Sequence, residues 1–331
     1  MRSAARWALP ALAALLAGCG RYADFELPPV PGPQPRAFVW DVAPQPVLGR
    51  GPAGAWDAGD VLNPSVVRFR DRYWNFYSGY DGRTWRTGAA ESAGGVSWVK
   101  RGAVLSPEGW EGAYIAANGT TLVRGGELLH WYQAGDPVRI ALARSSDGLA
   151  WRKHPQPVLL PGPRGSWDER GVADPWVVEA GGRLVLYYLG ADRARRQRLG
   201  VAVSSDGVAW TKYRGNPVLE LGERGAFDEN GLGEPAVWAA HGAYWMLYTG
   251  RDRAEIRRIG LASSPDGVRW RRDSRAPVLT GPQPWNAKVV CDPSVEVLGD
   301  VIRVWFGGGD VAHPAENIHG QIGAAALQPR W

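Results

Sequence analysis

The sequence predicts an all-β fold: a five-bladed β-propeller of four-stranded antiparallel blades, its ring closed by an N-terminal strand. Three observations predict it. One unit recurs five times, and its polar markers Asn63, Asn118, Asp174, Glu234 and Asp292 lie 55, 56, 60 and 58 residues apart. A period of that size marks a repeat architecture. The 331 residues include 18 Trp, 11 Tyr, 44 Gly and 26 Pro, a mixture of strand-favouring aromatics and turn formers. Within each unit the apolar runs are short and bounded by turn residues. Four antiparallel strands repeated around an axis make a propeller.

The first 19 residues read as an address. Arg2 and Arg6 precede an apolar stretch, 7–16, too short to span a bilayer, and Leu16-Ala17-Gly18-Cys19 follows. A charged start, an apolar middle and small residues at the cut define a secretory signal. The ending resembles the bacterial lipoprotein signal, in which the Cys becomes the lipidated first residue. That resemblance implies acyl chains on Cys19, enough of them for stable anchoring to a bacterial membrane, with the outer membrane or cell surface as the expected place. Residues 20–36, which contain LPPVPGPQPR, read as a Pro-rich tether. Residues 37–331 read as the propeller domain.

The elements of the unit follow in order. Trp40, Trp98, Trp151, Trp210 and Trp270 each lead to a Val-Leu pair, the fourth strand and its return. An aromatic–acid pair or its variant comes next: Trp56-Asp57, Trp110-Glu111, Trp167-Asp168, Phe227-Asp228 and Trp285-Asn286. The polar marker stands six or seven residues further on, usually before Pro. A first strand begins there. An aromatic-rich second strand ends in Gly (73–79, 128–135, 184–190, 244–250, 302–307), and a small apolar third strand follows. Turns such as Ser146-Asp147-Gly148 and Ser205-Asp206-Gly207 lead into the fourth strand, Gly supplying the positive φ that a tight hairpin needs. These Ser-x-Asp-Gly-x-x-Trp stretches superficially resemble the Asp boxes of sialidases, but turn chemistry accounts for them. The chain stops after a third strand, and 38–40 with Val47-Leu48 matches a fourth strand that has no unit before it. The N-terminal strand therefore completes the last blade and removes its open edge.

Composition excludes several classes. Hydrophobic residues make up 45% of the chain, which rules out general disorder. Two Cys cannot build a disulfide framework. The net charge of +5 is too shallow to point to nucleic acid. The domain is expected to be a monomer.

The markers carry the chemistry. First strands line a propeller's channel, so the five markers are expected to begin those strands and converge at one mouth. The frame repeats while the marker changes identity, and Glu is a poor turn residue, so Glu234 reads as a side chain reaching into the channel. Five blades with Ala173-Asp174-Pro175 in the third and Gly233-Glu234-Pro235 in the fourth resemble the five-bladed propeller glycosidases of glycoside hydrolase families 43, 62, 32, 68 and 130. The family 43 pattern implies that Glu234 is the general acid and that Asp174 orients the site and raises the acid's pKa. Cleavage needs a proton donor to the leaving oxygen and a second carboxylate on the opposite face. The blade-one base position of that pattern is Asn63 here, and an amide cannot take a proton from water. Three replacements are open: Asp57 or Asp60 just upstream, Asp292 in the adjacent fifth blade, or an attacking group that needs no base. Asn63 also resembles family 130, some of whose members use inorganic phosphate, although that family's acid position holds Asn118-Gly119 here.

Asn63, Asn118, Trp56, Trp110, Trp167, Arg193, Arg251 and His313 are the candidate substrate-binding residues; the indoles either stack on sugar rings or, because their position repeats, pack between blades. Arg-rich loops at 192–198 and 251–258, with Arg83, Arg86 and Arg139, are expected at the same mouth. They favour an anionic ligand such as a uronate, sulfate or phosphate group. Cys291 reads as an inert buried thiol. No cofactor or structural metal is expected, and a channel ion such as calcium, held near His313, is an open alternative. The sequence thus points to a carbohydrate-active protein that cleaves an oligo- or polysaccharide with inversion. A disarmed glycan-binding lipoprotein and a phosphate-dependent phosphorylase are the alternatives.

Overall fold

The computed structural model describes residues 21–331. The expected export signal and Cys19 lie outside the described residues. The chain is almost entirely β, and its strands fall into antiparallel sets in sequence order. The third set shows the pattern: Gly171–Ala180, Arg183–Ala191, Gln197–Ser204 and Thr211–Tyr213 pair each with the next. The fourth set repeats it with Gly231–Ala240, Ala243–Arg251, Arg257–Ser264 and Arg271–Arg272. Val289–Leu298, Val301–Gly309 and Gln321–Arg330 form the fifth. Its outer strand comes from the other end of the chain, Ala37–Val42, antiparallel to Gln321–Arg330.

The Val-Leu pairs explain themselves in this frame. Leu48, Leu159, Leu219 and Leu279 each bridge the start of a third strand, at Ile322, Ile140, Leu199 and Ile259. Apolar side chains fill the space between consecutive sets. Val185 and Tyr187 meet Met246 and Tyr248, and Trp245 and Leu247 meet Val304 and Phe306. Trp305 and Ile322 of the fifth set meet Tyr73 and Tyr77 of the first. The Ser-x-Asp-Gly turns are hydrogen-bond devices. Asp147 Oδ1 accepts the N–H groups of Leu149 and Ala150, and Ser145 Oγ accepts that of Gly148. The same bonds recur at Asp206 and Asp266. Backbone N–H groups hold the Asp147 and Asp206 carboxyls below the usual carboxylate range.

Two expectations need correction. The first strands do not start at the markers. Gly171–Ala180 begins three residues before Asp174, and the ladder slips between Ala173 and Trp176. The same slip occurs at 117/120, 233/236 and 291/294. The marker is therefore a bulge inside the strand, which periodicity alone does not reveal. The Pro-rich segment, for its part, is docked. Tyr22–Ala23 pairs in parallel with Lys212 and Tyr213. Leu27 is buried among Val185, Tyr187 and Val268, and its N–H donates to the Asp266 carbonyl. Tyr244 Oη donates to the Pro28 carbonyl. Proline carbonyls still accept hydrogen bonds, and an already extended segment loses little entropy on docking. Truncating Leu27 to Ala is expected to lower unfolding free energy by about 2–3 kcal/mol in urea titration; a free tether would give no change.

Candidate active site

Asn63, Asn118, Asp174, Glu234 and Asp292 all line one cavity of about 310 Å³. All five have left-handed backbone, with φ of 48°, 50°, 48°, 45° and 54°. Such a conformation costs a non-Gly residue on the order of 1–3 kcal/mol, least for Asn and Asp, and it re-aims the bulged side chain.

Each of these bulges is tied to the preceding set through its own N–H. Asn118 N–H donates to Ser78 Oγ (2.9 Å), Asp174 N–H to Gln133 Oε1 (3.3 Å) and Asp292 N–H to Thr249 Oγ1 (3.1 Å). Ser78, Gln133 and Thr249 occupy one repeated position, next to the end of the second strand. In the third and fifth sets that position is Leu189 and Gly307, which have no acceptor to offer. There the marker carboxylates take over: Glu234 N–H donates to Asp174 Oδ2 (3.3 Å) and Asn63 N–H to Asp292 Oδ2 (3.1 Å). Space is left for them. A Cβ on Gly307 would stand 2.6 Å from Asp292 Oδ2, and one on Gly233 3.0 Å from Asp174 Oδ2. Asn118-Gly119 departs from the marker-Pro pattern for a related reason. His130 packs under Gly119, where a Cβ would meet its Nε2 at 2.4 Å. Burial pushes that imidazole down to about 3.

Three carboxyls thus share the cavity floor. Burial, then the charges of Glu234 and Asp292, push Asp174 well above the ordinary carboxylate range. Burial, then Glu234, push Asp292 up to about 7, against the Cys291 S–H, Arg257 and the Asn63 N–H, which favour its charged form. Asp174 and Asp292 therefore do not titrate independently of their neighbours. Glu234 Oε2 is shielded from solvent and has no hydrogen-bond partner among the described residues. Arg257 faces this cluster. Burial pulls its guanidinium down, but Cys291, Glu234 and Asp292 outweigh that and hold it above its ordinary value. It also donates to the carbonyls of His313, Pro314 and Ala315. Burial raises the Cys291 thiol well above normal, so it stays a thiol.

Several expected site residues are elsewhere. Asp57 is buried, accepting hydrogen bonds from Tyr77 Oη (3.0 Å) and Lys100 Nζ (2.6 Å). The grouping recurs as Glu111–Tyr132–Lys153, Asp168–Tyr188–Lys212 and Asp228–Tyr248–Arg272. Where Phe306 replaces the Tyr, Asn286 replaces the acid. Asp60 is fully buried and accepts the N–H groups of Asn317, Ile318 and Gly320. Neither Asp57 nor Asp60 lines the cavity. Nor do Trp56, Trp110 and Trp167. Trp56 lies against Tyr77, Gly79 and Gly88, and Trp167 against Tyr188, Gly190 and Gly200. Trp110 lies beside Gly135 under Arg139. Arg193 is exposed and pairs with Glu169, and His313 contributes its carbonyl. Arg251 does line the cavity. Trp85, Tyr114, Gln133 and Thr249 line it too and were missed. Comparing the residue after Tyr77, Tyr132, Tyr188, Tyr248 and Phe306 across repeats would have exposed Gln133 and Thr249.

The sequence profile of the glycosyl hydrolases family 32 N-terminal domain matches residues 64–280. The chain belongs to this family. Over 230 residues, the family 32 chain is 28% identical to uncharacterized protein MT1551 of Mycobacterium tuberculosis (strain CDC 1551 / Oshkosh), covering 64% of this chain and 75% of that protein. The solved structure of a family 117 glycoside hydrolase from the marine bacterium Zobellia galactanivorans matches with a TM-score of 0.65 at 18% identity, covering 88% of this chain and 91% of the other. The β-1,2-mannobiose phosphorylase of Listeria innocua matches with a TM-score of 0.66 at 11% identity, covering 87% and 90%. At these identities both share the fold. The propeller glycosidase fold expected from Asp174 and Glu234 is thus shown, and with it a carbohydrate-active family. Glycoside hydrolases of this kind need no cofactor. Among the described residues, no group of three or more His, Cys, Asp or Glu is placed to hold a metal ion.

Two outcomes follow from this geometry. Replacing Asp57 by Ala strands Tyr77 Oη and Lys100 without their acceptor and is expected to cost about 2–4 kcal/mol in denaturant unfolding, with the turnover of the folded fraction unchanged. Asp174 binds its proton more tightly folded than unfolded. Its contribution is therefore present below its unfolded value of 3.8 and is lost as pH rises through the folded value. Asp174→Asn, whose amide oxygen still accepts the Glu234 N–H, is expected to melt higher than the parent at pH 8, on the order of 5 °C, and no higher at pH 4.

Proposed function

We propose that this protein is an inverting glycosidase working in the shared cavity. Glu234 is the acid that protonates the leaving oxygen, and Asp292 is the carboxylate that activates water. The observation that carries this reading is the meeting of Asp174, Glu234 and Asp292 in one cavity, with a Glu234 oxygen left unpartnered. A buried carboxyl oxygen without a partner is costly and is available to a ligand. Asp292 Oδ2 lies 3.1 Å from the backbone nitrogen of Asn63, beside the position where the related pattern has its base. With a pKa near 7, it is partly ionised at neutral pH, which suits a general base. Asp174 orients Glu234 by accepting its backbone N–H.

The five strand sets are read as the blades of one ring, closed where Ala37–Val42 completes the fifth. The domain is exported, monomeric and anchored through acyl chains on Cys19. Asn63, which cannot serve as a base, favours one second reading: a glycan-binding protein without turnover.

Glu234→Gln is expected to lower kcat at least 1,000-fold while leaving the melting temperature within about 3 °C. In the parent, kcat/KM is expected to rise with pH through an acid limb near 7 as Asp292 loses its proton, and Asp292→Asn to abolish turnover. The assay uses a polysaccharide and nitrophenyl glycoside panel, with and without phosphate, and reads the product anomer by NMR. Equal turnover by parent and Glu234→Gln contradicts the mechanism. Ligand binding with no release by the parent selects the second reading.

A further inference from the structure

Above the carboxyl floor, the cavity has two unlike walls. Trp85 and Tyr114 line one side. Trp85 is buried and stacked on Tyr80 at 4.8 Å, whereas Tyr114 is half exposed, with its hydroxyl on Glu316 (2.9 Å). The other side carries Arg170, Gln197 and Arg251. Arg251 is held in place: one nitrogen donates to Gln197 Oε1 and another to Glu255, each at 2.9 Å. Gly231 makes room for the pair, since a Cβ there would stand 2.8 Å from Gln197 Oε1 and 3.2 Å from the Arg251 guanidinium. Arg170 is exposed at the rim, and among the described residues its side chain has no hydrogen bond or ion pair. Its backbone N–H bonds to the Ala191 carbonyl, and Ala191 pairs with Gln197. Arg170 and Arg251 therefore flank the same Gln197.

A neutral sugar's hydroxyls can accept hydrogen bonds from a guanidinium but leave its charge unmatched, and here an unpartnered guanidinium stands beside a second one fixed by Gln197 and Glu255. An oxyanion matches both charge and shape, because two oxygens of a carboxylate or sulfate meet a guanidinium fork in two parallel hydrogen bonds. The floor carboxyls oppose an anion at the reacting sugar itself. The charge must therefore sit at the mouth, on a sugar next to the cleaved bond, with its ring beside Tyr114. We infer that the cavity takes an acidic glycan whose oxyanion, a uronate carboxylate or a sulfate ester, is held between Arg170 and Arg251. The inference rests on the glycosidase reading for the position of the cleaved bond but not for the binding itself.

The test uses the exported domain carrying Glu234→Gln, so that binding is read without turnover. It is applied to an array of uronate, sulfated and neutral oligosaccharides on matched backbones, with inorganic phosphate as a competitor. Binding to acidic members is expected, weakening as salt is raised. Arg170→Gln and Arg251→Gln are each expected to weaken it about 10-fold or more, and by more than they weaken any binding of neutral members. The uronate and sulfate arms distinguish the two sources of the oxyanion. Binding confined to neutral members, equal affinities in the arginine variants, or an array without binders overturns the inference. Phosphate that competes fully while no acidic sugar binds overturns it as well. Acidic binding with no turnover by the parent would leave the inference standing and remove the glycosidase reading. Turnover of neutral glycans indifferent to both arginines would do the reverse.

Discussion

The site depends on one repeated contact, the hydrogen bond from each bulged marker's N–H to the set before it. A left-handed residue in mid-strand loses its ladder partner, and a buried N–H without an acceptor is expensive. Three times a side chain at a fixed place in the repeat supplies that acceptor. Twice the place is taken by Leu189 or Gly307, and the neighbouring marker must supply it instead. Asp174 and Asp292 are the markers that do so. Two of the three carboxyls on the cavity floor are thus part of the framework that joins the sets as well as candidates for chemistry.

That double use has an energetic consequence. Each carboxyl gains an N–H bond, which favours its charged form, yet both end with raised affinity for protons because burial and mutual repulsion outweigh the bond. Asp174 and Asp292 thus impose a cost in stability that grows with pH as they lose their protons. The aromatic core between the sets absorbs this cost, as does the acid–Tyr–Lys/Arg grouping repeated beneath each aromatic–acid pair. The cavity carboxyls stand where the repeat varies, and the packing groups where it is kept.

The repeat also decides what was legible in the sequence. The 55–60-residue spacing, the Val-Leu returns and the Ser-x-Asp-Gly turns were readable because each has a local physical cause that recurs. The markers' meeting in one cavity was readable from their register. Their bulges were not, since a left-handed φ leaves no trace in hydrophobic periodicity. Trp56 and Trp167 left two readings open, sugar platform or packing between blades, and the fold decides for packing. The glycines that receive them, at 79, 88, 190 and 200, were present in the sequence but far from them along the chain. Asp57 looked available because Tyr77 and Lys100, its partners, are 20 and 43 residues away. Arg257 was one basic residue in an arginine-rich loop, and only the fold shows that it turns inward while Arg193 stays in solvent.

In the proposed mechanism, the fifth set's carboxylate does the work that Asn63 cannot. An exchange of the two side chains tests this best: turnover of the double variant Asn63→Asp/Asp292→Asn, measured against Asp292→Asn alone on the same glycan at pH 7. Both positions line the cavity, and Asn at 292 can still accept the backbone N–H of residue 63. Moving the carboxylate across that one hydrogen bond is expected to restore at least a tenth of the parental rate. A double variant that melts like the parent yet stays as inactive as Asp292→Asn would refute the assignment of the base.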